Sequence, residues 1–167
     1  MGIKAPSQRS INQYFKDVIE IINEEVRDTL AYLCEQSVKR IRDRSFEESW
    51  IDDTGNLRSS IGYAIYEYGR TQVESAFPVV REGTEGAQRG REYIQDLAGL
   101  FATAYAAVVV AAMEYAEYVE AKKTKDVLAS THQWAKEKFE SHMQRAVEKA
   151  QMKIDAYGAN FTLKLKI

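Results

Sequence analysis

Apolar residues recur every three or four positions in two long stretches near the two ends of the chain. The first stretch begins at Ser10, which with Gln13 fits a capping box, and it runs to about Arg44. Its apolar positions are Ile11, Phe15, Val18, Ile22, Val26, Leu30, Leu33 and Ile41. The second stretch begins at Ser130 and ends before Gly158, with Ala135, Phe139, Met143, Val147, Ala150 and Ile154 as its apolar positions. The spacing predicts a long N-terminal helix and a C-terminal helix, each with one apolar face.

Between these two helices the pattern changes to an alternation of residues that is typical of strands. Residues 61–68 and 71–79 alternate and are rich in aromatic and β-branched side chains, and Gly69-Arg70 between them fits a two-residue turn. Upstream, the side-chain oxygens of Asp52 and Thr54 fit the start of a short helical turn. We therefore predict a helical turn followed by a β-hairpin over about 61–80, whose tyrosines suit a core or a protein interface.

The remaining segments are less regular. Residues 1–9 predict a flexible arm, and the glycines and charges of residues 81–90 predict a mobile loop, followed by a helix over about 91–103. Residues 104–120 stay ambiguous, because alanines favour a helix and the valine run favours a buried strand. The last residues, FTLKLKI, alternate strictly and predict an amphipathic strand, which either closes an edge of the protein's own sheet or adds to a neighbour's sheet.

Two short blocks carry a family resemblance. The first resembles the TG-x-L-R-x-S-I motif of phage tail-completion (neck, head–tail joining) proteins, and the second resembles that family's Y-A-x-Y-V-E block. The matching residues are Asp53, Thr54, Gly55, Asn56, Leu57, Arg58, Ser60, Ile61, Tyr115, Ala116, Tyr118, Val119 and Glu120. The blocks occur in the family's order and together anchor most of residues 11–155. After the second block the family continues with an aromatic residue, Gly and Thr, whereas this chain continues with residues 121–124, AKKT.

The resemblance implies a fold of the α+β class in a single domain over residues 1–167. A small antiparallel sheet, made of the hairpin at about 61–80, a central strand at about 105–113 and a C-terminal strand at about 160–166, would be flanked by the two long helices. The resemblance also implies a virion structural protein, located in the neck or tail and in the host cytoplasm during assembly.

As partners, the resemblance implies identical subunits in a ring, together with other neck, portal-side or tail proteins. Candidate contacts lie in the loops 81–90 and 121–125 and in the C-terminal strand. The corresponding candidate interface residues are Gly83, Gly86, Lys122, Lys123, Leu163 and Leu165.

Composition agrees with a globular protein that has no general affinity for nucleic acid. The chain has 167 residues and a formal net charge of −2, which gives no electrostatic reason for general nucleic-acid binding, and specific nucleic-acid binding is not expected. The N-terminus has no apolar signal core, so a cytosolic place of synthesis is expected. The longest apolar run, residues 100–113, is shorter than the ~20 residues that span a bilayer, and predicts core rather than membrane.

No pattern in the chain predicts catalysis, a metal site or a cofactor. His132 and His142 fall on different faces of one predicted helix, so they cannot chelate one ion together. The single cysteine, Cys34, lies beside an apolar stripe and is expected to be a buried, unreactive thiol. We therefore expect a protein that is not an enzyme, with no catalytic, metal-binding or cofactor-binding residues.

The most basic stretch leaves an alternative function open. Residues 39–44, KRIRDR, fit a solvated helix end, where cations complement the helix dipole, and they also fit a contact with DNA or an acidic protein. The second interpretation describes a host accessory or regulatory protein that binds another protein or nucleic acid through this basic helix end.

Overall fold

The structure is a computed structural model that describes residues 8–45, 50–122, 126–158 and 162–166. Its elements are α1 (Gln8–Arg42), α2 (Asn56–Ser59), β1 (Ile61–Glu67), β2 (Arg70–Glu74), α3 (Thr84–Leu97), a 3-10 helix (Ala98–Phe101), β3 (Tyr105–Ala111), α4 (Ala116–Glu120) and α5 (Ala129–Ala156). The α+β class, the two long terminal helices and the antiparallel hairpin are therefore confirmed. Of the predicted flexible arm, residues 1–7 lie outside the described residues, and the remainder belongs to α1.

The chain divides into two compact units. One consists of residues 1–29 and 140–167, and the other of residues 30–139. We call them the helical unit and the sheet unit. The single domain expected from the sequence stays a prediction.

In the helical unit, the beginning of α1 packs against the end of α5. Val18 and Ile154 are buried against each other. The Tyr157 hydroxyl donates to Asp17 Oδ2 at 2.6 Å, and Lys153 Nζ lies 2.7 Å from Glu25 Oε1. Since these contacts advance along α1 while they recede along α5, the two helices run antiparallel here. Gly158, with a φ of 80°, follows α5 as the predicted C-terminal stop.

The sheet unit is built on a three-stranded antiparallel sheet with the strand order β2-β1-β3. β1 is therefore the central strand and is buried from Ile61 to Tyr66. The prediction of a central strand at 105–113 is correct in its location but wrong in its place in the sheet, because β3 pairs with β1 and forms an edge. Sequence periodicity carries no information on the order of strands.

Helices and loops cover both faces of the sheet, so each face has an apolar cluster. On one side lies the Trp50 cluster, which consists of Ile41, Trp50, Leu57, Ile61, Ala116 and Val127. On the other lies the Phe77 cluster, which consists of Ala64, Tyr66, Phe77, Ala87, Ile94 and Val110. Burial on both faces explains why β1 carries no charged residue from Ile61 to Tyr66 and does not alternate with polar residues.

The hairpin differs from its prediction at the turn and at its end. The turn is Tyr68-Gly69 rather than Gly69-Arg70, and both of its residues have positive φ, 47° and 79°. β2 ends at Glu74 instead of continuing to about 80. Phe77 has a φ of 47° and turns its ring into the core, with only 1% of its surface exposed. Phe77 therefore contributes to the core from outside the sheet.

The predicted mobile loop 81–90 is wrong, because α3 begins at Thr84 and includes the last seven of these ten residues. The glycines that suggested a loop allow close packing instead. A Cβ at Gly86 would lie 1.9 Å from the Asn56 carbonyl oxygen, and one at Gly90 would lie 2.3 Å from the Phe77 ring. Small residues on a helix face permit such backbone approach, which a composition-based loop prediction cannot recognise.

The predicted C-terminal strand is absent from the described residues. Residues 162–166 are assigned to no strand, although their sequence alternates. Leu163 packs against the cluster of Val18 and Ile154, and its N–H donates to Gln151 Oε1 at 2.8 Å. The segment therefore contacts helices of its own chain, and a helix cannot pair with it as a strand.

Candidate functional site

The first motif block folds into a helical turn, and the Asp52 side chain, just before this block, caps that turn. The Arg58 and Leu57 N–H groups donate to the two carboxylate oxygens of Asp52 at 2.7 and 3.4 Å. Asp52 is 5% exposed, so these bonds satisfy a buried carboxylate as well as the free donors of α2. Its neighbour Asp53, which matches the family motif, is exposed, and Thr54 Oγ1 accepts the Asn56 N–H at 3.3 Å.

Arg58 joins the motif block to the end of α1. Its guanidinium lies over the Trp50 ring at 5.0 Å and donates to the carbonyl oxygens of Arg42 and Arg44, the latter at 3.0 Å. Arg42 is the last residue of α1, so its carbonyl needs a donor from outside the helix, and Arg44 lies two residues beyond it. Burial lowers the pKa of Arg58, and the carboxylate of Asp52 opposes that shift. A family-motif residue thus acts here as a C-terminal cap for α1.

The other residues of the first block also point inward. Gly55 has a φ of 78°, and a Cβ there would lie 2.0 Å from the Val80 carbonyl oxygen. Asn56 Oδ1 accepts the Gly86 N–H at 3.0 Å, which ties the block to α3. Leu57 and Ile61 are completely buried in the Trp50 cluster, and the Ser60 hydroxyl donates to the Leu57 carbonyl at 2.9 Å. We refer to residues 52–61 as the motif segment.

The second block forms α4 and meets the first in the Trp50 cluster. Ala116 is buried there, and Val119 packs against the same cluster. The Glu120 carboxylate accepts the N–H groups of Val127, Leu128 and Ala129 at 2.7, 2.8 and 3.0 Å, at the start of α5. The structure therefore brings the two blocks into one core. Glu120 was predicted as a motif residue, but its capping role was not, because its partners lie several residues further along the chain.

Tyr115 and Tyr118 form the outer side of the second block. Tyr115 is 41% exposed and Tyr118 is 67% exposed. Lys122 Nζ lies 4.5 Å from the centre of the Tyr118 ring, a cation–π contact. Lys122 is exposed, as its candidate interface role requires, and Lys123 lies outside the described residues.

Two candidate interface residues are not at the surface. Gly83 and Gly86 are buried, and a Cβ at Gly83 would lie 2.3 Å from Ser59 Oγ. Their role as contact residues is therefore wrong, because they pack against the motif segment. Leu163 and Leu165 are half-buried outside any described strand, and Lys164 and Lys166 on the same segment are exposed.

The basic stretch at the end of α1 contacts its own unit through several of its cations. Arg44 Nη1 lies 2.8 Å from Asp126 Oδ2, and Nη2 donates to Ser130 Oγ at 2.9 Å. Arg42 donates to the Pro78 carbonyl at 2.6 Å, and the Arg40 guanidinium lies 5.6 Å from the centre of the Trp134 ring. These contacts favour a structural role for the stretch over nucleic-acid binding.

The two edges of the sheet differ in the features that control strand addition. β2 carries Arg70 and Glu74, and its register with β1 is interrupted by an irregularity at Ile65/Tyr66. β3, YAAVVVA, has no charged residue, and its register with β1 is continuous from Ile61↔Ala111 to Glu67↔Tyr105. Charges and bulges protect an edge against further pairing. β3 lacks both and is the stronger candidate contact surface.

An acidic cleft of about 400 Å³ lies between α3 and the end of β3. Its ionisable lining residues are Arg89, Glu92, Asp96, Glu114 and Glu117, four acids and one base. Arg89 Nη1 lies 3.2 Å from Glu114 Oε1 and offsets part of this charge. The cleft therefore favours a cationic partner close to the β3 edge.

Within the described ranges, no group of three or more His, Cys, Asp or Glu side chains is arranged to hold a metal ion. Burial, with a smaller contribution from Glu35, raises the pKa of the Cys34 thiol to about 12. Cys34 is 6% exposed, as expected for a buried thiol. In the part of the chain that the structure describes, no helix combines the length and apolar character needed to cross a membrane.

Comparison with known proteins adds no relative: no protein-family model, curated protein or solved structure matches the chain.

Proposed function

We propose that the chain is a non-enzymatic structural protein of a phage or prophage virion, which joins head to tail or completes the tail by forming a ring of identical subunits. The observation that supports this proposal most directly is the β3 edge, a seven-residue apolar strand that pairs with β1 and has no charge or bulge of its own. A strand of this kind is a template for pairing with another chain. The acidic cleft beside it would favour a positively charged partner in such a contact.

The family resemblance gives the proposal its particular class. In the structure, the two matching blocks meet in the Trp50 cluster, so they act together as one packing unit rather than as two unrelated matches. The motif residues would thus specify the fold of the sheet unit, and the surfaces around it would make the contacts. Partners of this kind are further copies of the chain and other neck, portal-side or tail proteins, in the virion and in the host cytoplasm during assembly.

Quantitative mass spectrometry of purified virions from the induced source strain tests this function. We expect the chain in intact particles at a low, ring-like copy number relative to the major capsid protein, which is the internal standard. An abundant host cytosolic protein measured in the same sample is the control for contamination. Absence of the chain from intact particles would overturn the proposal and favour a host accessory protein.

Self-association of the purified protein is the second test. Sedimentation velocity over a hundredfold range of concentration, with and without virion extract, should reveal a defined oligomer larger than a dimer. A protein that stays monomeric under all of these conditions contradicts the ring mechanism.

A further inference from the structure

Alternate residues of β3 contact the apolar clusters on the two faces of the sheet. A strand added beside β3 would extend both of these faces. Val110 of β3 belongs to the Phe77 cluster below α3, whereas Val109 and Ala111 pack against the Trp50 cluster. Ala107, in the middle of β3, is exposed. An added strand would therefore place alternate residues on the α3 side and on the Trp50 side.

The α3 side of this edge is acidic. Glu92 and Asp96 of α3, with Glu114 and Glu117 after β3, line the cleft at the end of the strand. A strand that pairs with β3 and carries cations on that side would gain attraction along with its backbone hydrogen bonds. The partner that fits is an extended peptide that alternates apolar and basic residues.

The chain itself contains such a peptide. Residues 162–166, TLKLK, place Leu163 and Leu165 on one side and Lys164 and Lys166 on the other when extended. Both lysines are exposed, and the segment belongs to no strand in the described residues. Leu163 packs against Val18 and Ile154, and its N–H donates to Gln151 Oε1, so pairing elsewhere would exchange this hydrogen bond for those of a strand.

We propose that residues 162–166 of one copy pair with the β3 edge of a second copy as a fourth strand, with Lys164 and Lys166 toward the acidic cleft. This inference rests on the proposed function, since it identifies the contact through which copies associate. Pairing of the segment with β3 joins two different surfaces, so it propagates from copy to copy and permits a ring. Pairing of β3 with β3 of another copy would close a dimer and would supply no cations to the acidic clefts.

Crosslinking of single-cysteine variants locates the contact. In a Cys34→Ala background, Ala107→Cys on β3 is mixed with Thr162→Cys on a mass-tagged copy, and a short bis-maleimide is added. We expect a crosslinked heterodimer, and no such product when Thr71→Cys on the β2 edge replaces Ala107→Cys. A dominant product between two Ala107→Cys copies would overturn the inference in favour of β3–β3 pairing, and equal products from both edges would also overturn it.

Charge reversal tests the recognition itself. The double variant Lys164→Glu/Lys166→Glu should raise the dissociation constant for self-association by about tenfold or more, because it brings acids to an acidic cleft. Combining it with Glu114→Lys/Glu117→Lys should restore much of the lost affinity.

Leu165→Asp should abolish assembly, and an unchanged melting temperature would separate this effect from misfolding.

The possible results distinguish the inference from the proposed function. If the wild-type protein forms oligomers and the charge and Leu165 variants form them equally well, the tail contact is wrong and ring assembly stands. If the wild-type protein does not associate at any concentration or with virion extract, both are wrong. Loss of association in the charge-reversed variant, with rescue by the compensating pair, supports both.

Discussion

The motif segment and the β3 edge lie in the same sheet unit, but the first makes contacts inside the unit and the second lies at an edge of the sheet. In the motif segment, polar groups are directed inward: Asp52 caps α2, and Arg58, which lies over the Trp50 ring, caps α1. β3, in contrast, has no charged residue and pairs with β1 alone among the described residues. The residues of the proposed family resemblance therefore build the core, whereas the surface that we propose for assembly has no motif. Substitutions in the two regions should separate loss of folding from loss of association.

Gly86→Ala should have the largest effect on folding. Its new Cβ would lie 1.9 Å from the Asn56 carbonyl oxygen, so α3 must move away from the motif segment. Overpacking against backbone costs about 3 kcal/mol, well above the ~1 kcal/mol that alanine gains over glycine in a helix. Denaturant unfolding followed by circular dichroism measures the difference.

Gly99→Ala is the matched control, because a Cβ at Gly99 meets no atom within 4 Å. It should leave the free energy of unfolding within about 0.5 kcal/mol of wild type. If Gly86→Ala instead leaves stability intact and weakens self-association, Gly86 is a contact residue after all, and the comparison between core and edge fails.

The sequence predicted the elements whose pattern is local. Periodicity was sufficient for α1, α5 and the hairpin, because each buries one stripe or face at a fixed spacing. The same reasoning failed for residues 81–90, where Gly86 and Gly90 are small because other chain segments approach them. A sequence read segment by segment does not reveal what packs against a glycine.

The contacts that define the candidate site join residues that are distant in the chain. Arg58 caps the end of α1, and Asn56 accepts a hydrogen bond from Gly86. The strand order, which makes β3 an edge, also depends on pairing between distant segments. The prediction that the tail closes the protein's own sheet was wrong for a related reason: alternation in residues 162–166 indicates a capacity to pair, and the described fold of one chain places no strand beside it.

The pH dependence of the free energy of unfolding tests the interior of the sheet unit at the buried Cys34 thiol. Burial raises the pKa of this thiol from 9.0 to about 12, so the unfolded chain loses its proton first as the pH rises. The free energy of unfolding should therefore be independent of this group below pH 9 and fall above it, by about 1 kcal/mol between pH 9 and 10.

Urea unfolding of wild type and Cys34→Ala across pH 8–10.5 measures the contribution of the thiol, which includes its electrostatic effect on the pKa of Tyr63. We expect the wild type to lose more stability than the variant over this interval. Parallel pH profiles for the two proteins would mean that the thiol ionises as readily in the folded chain, and that the interior beside α1 admits water.

Ala107→Lys should have the smallest effect on folding and the clearest effect on association. Ala107 is exposed, so a lysine there should change the free energy of unfolding by less than about 0.5 kcal/mol. A lysine on an edge strand opposes further pairing, because an added strand would have to desolvate its charge. Sedimentation velocity should show loss of the oligomer in this variant, while Thr71→Lys on the β2 edge should assemble as wild type. If both substitutions are equally harmless, the missing charge of β3 has no part in assembly, and the two edges are equivalent in spite of their different sequences.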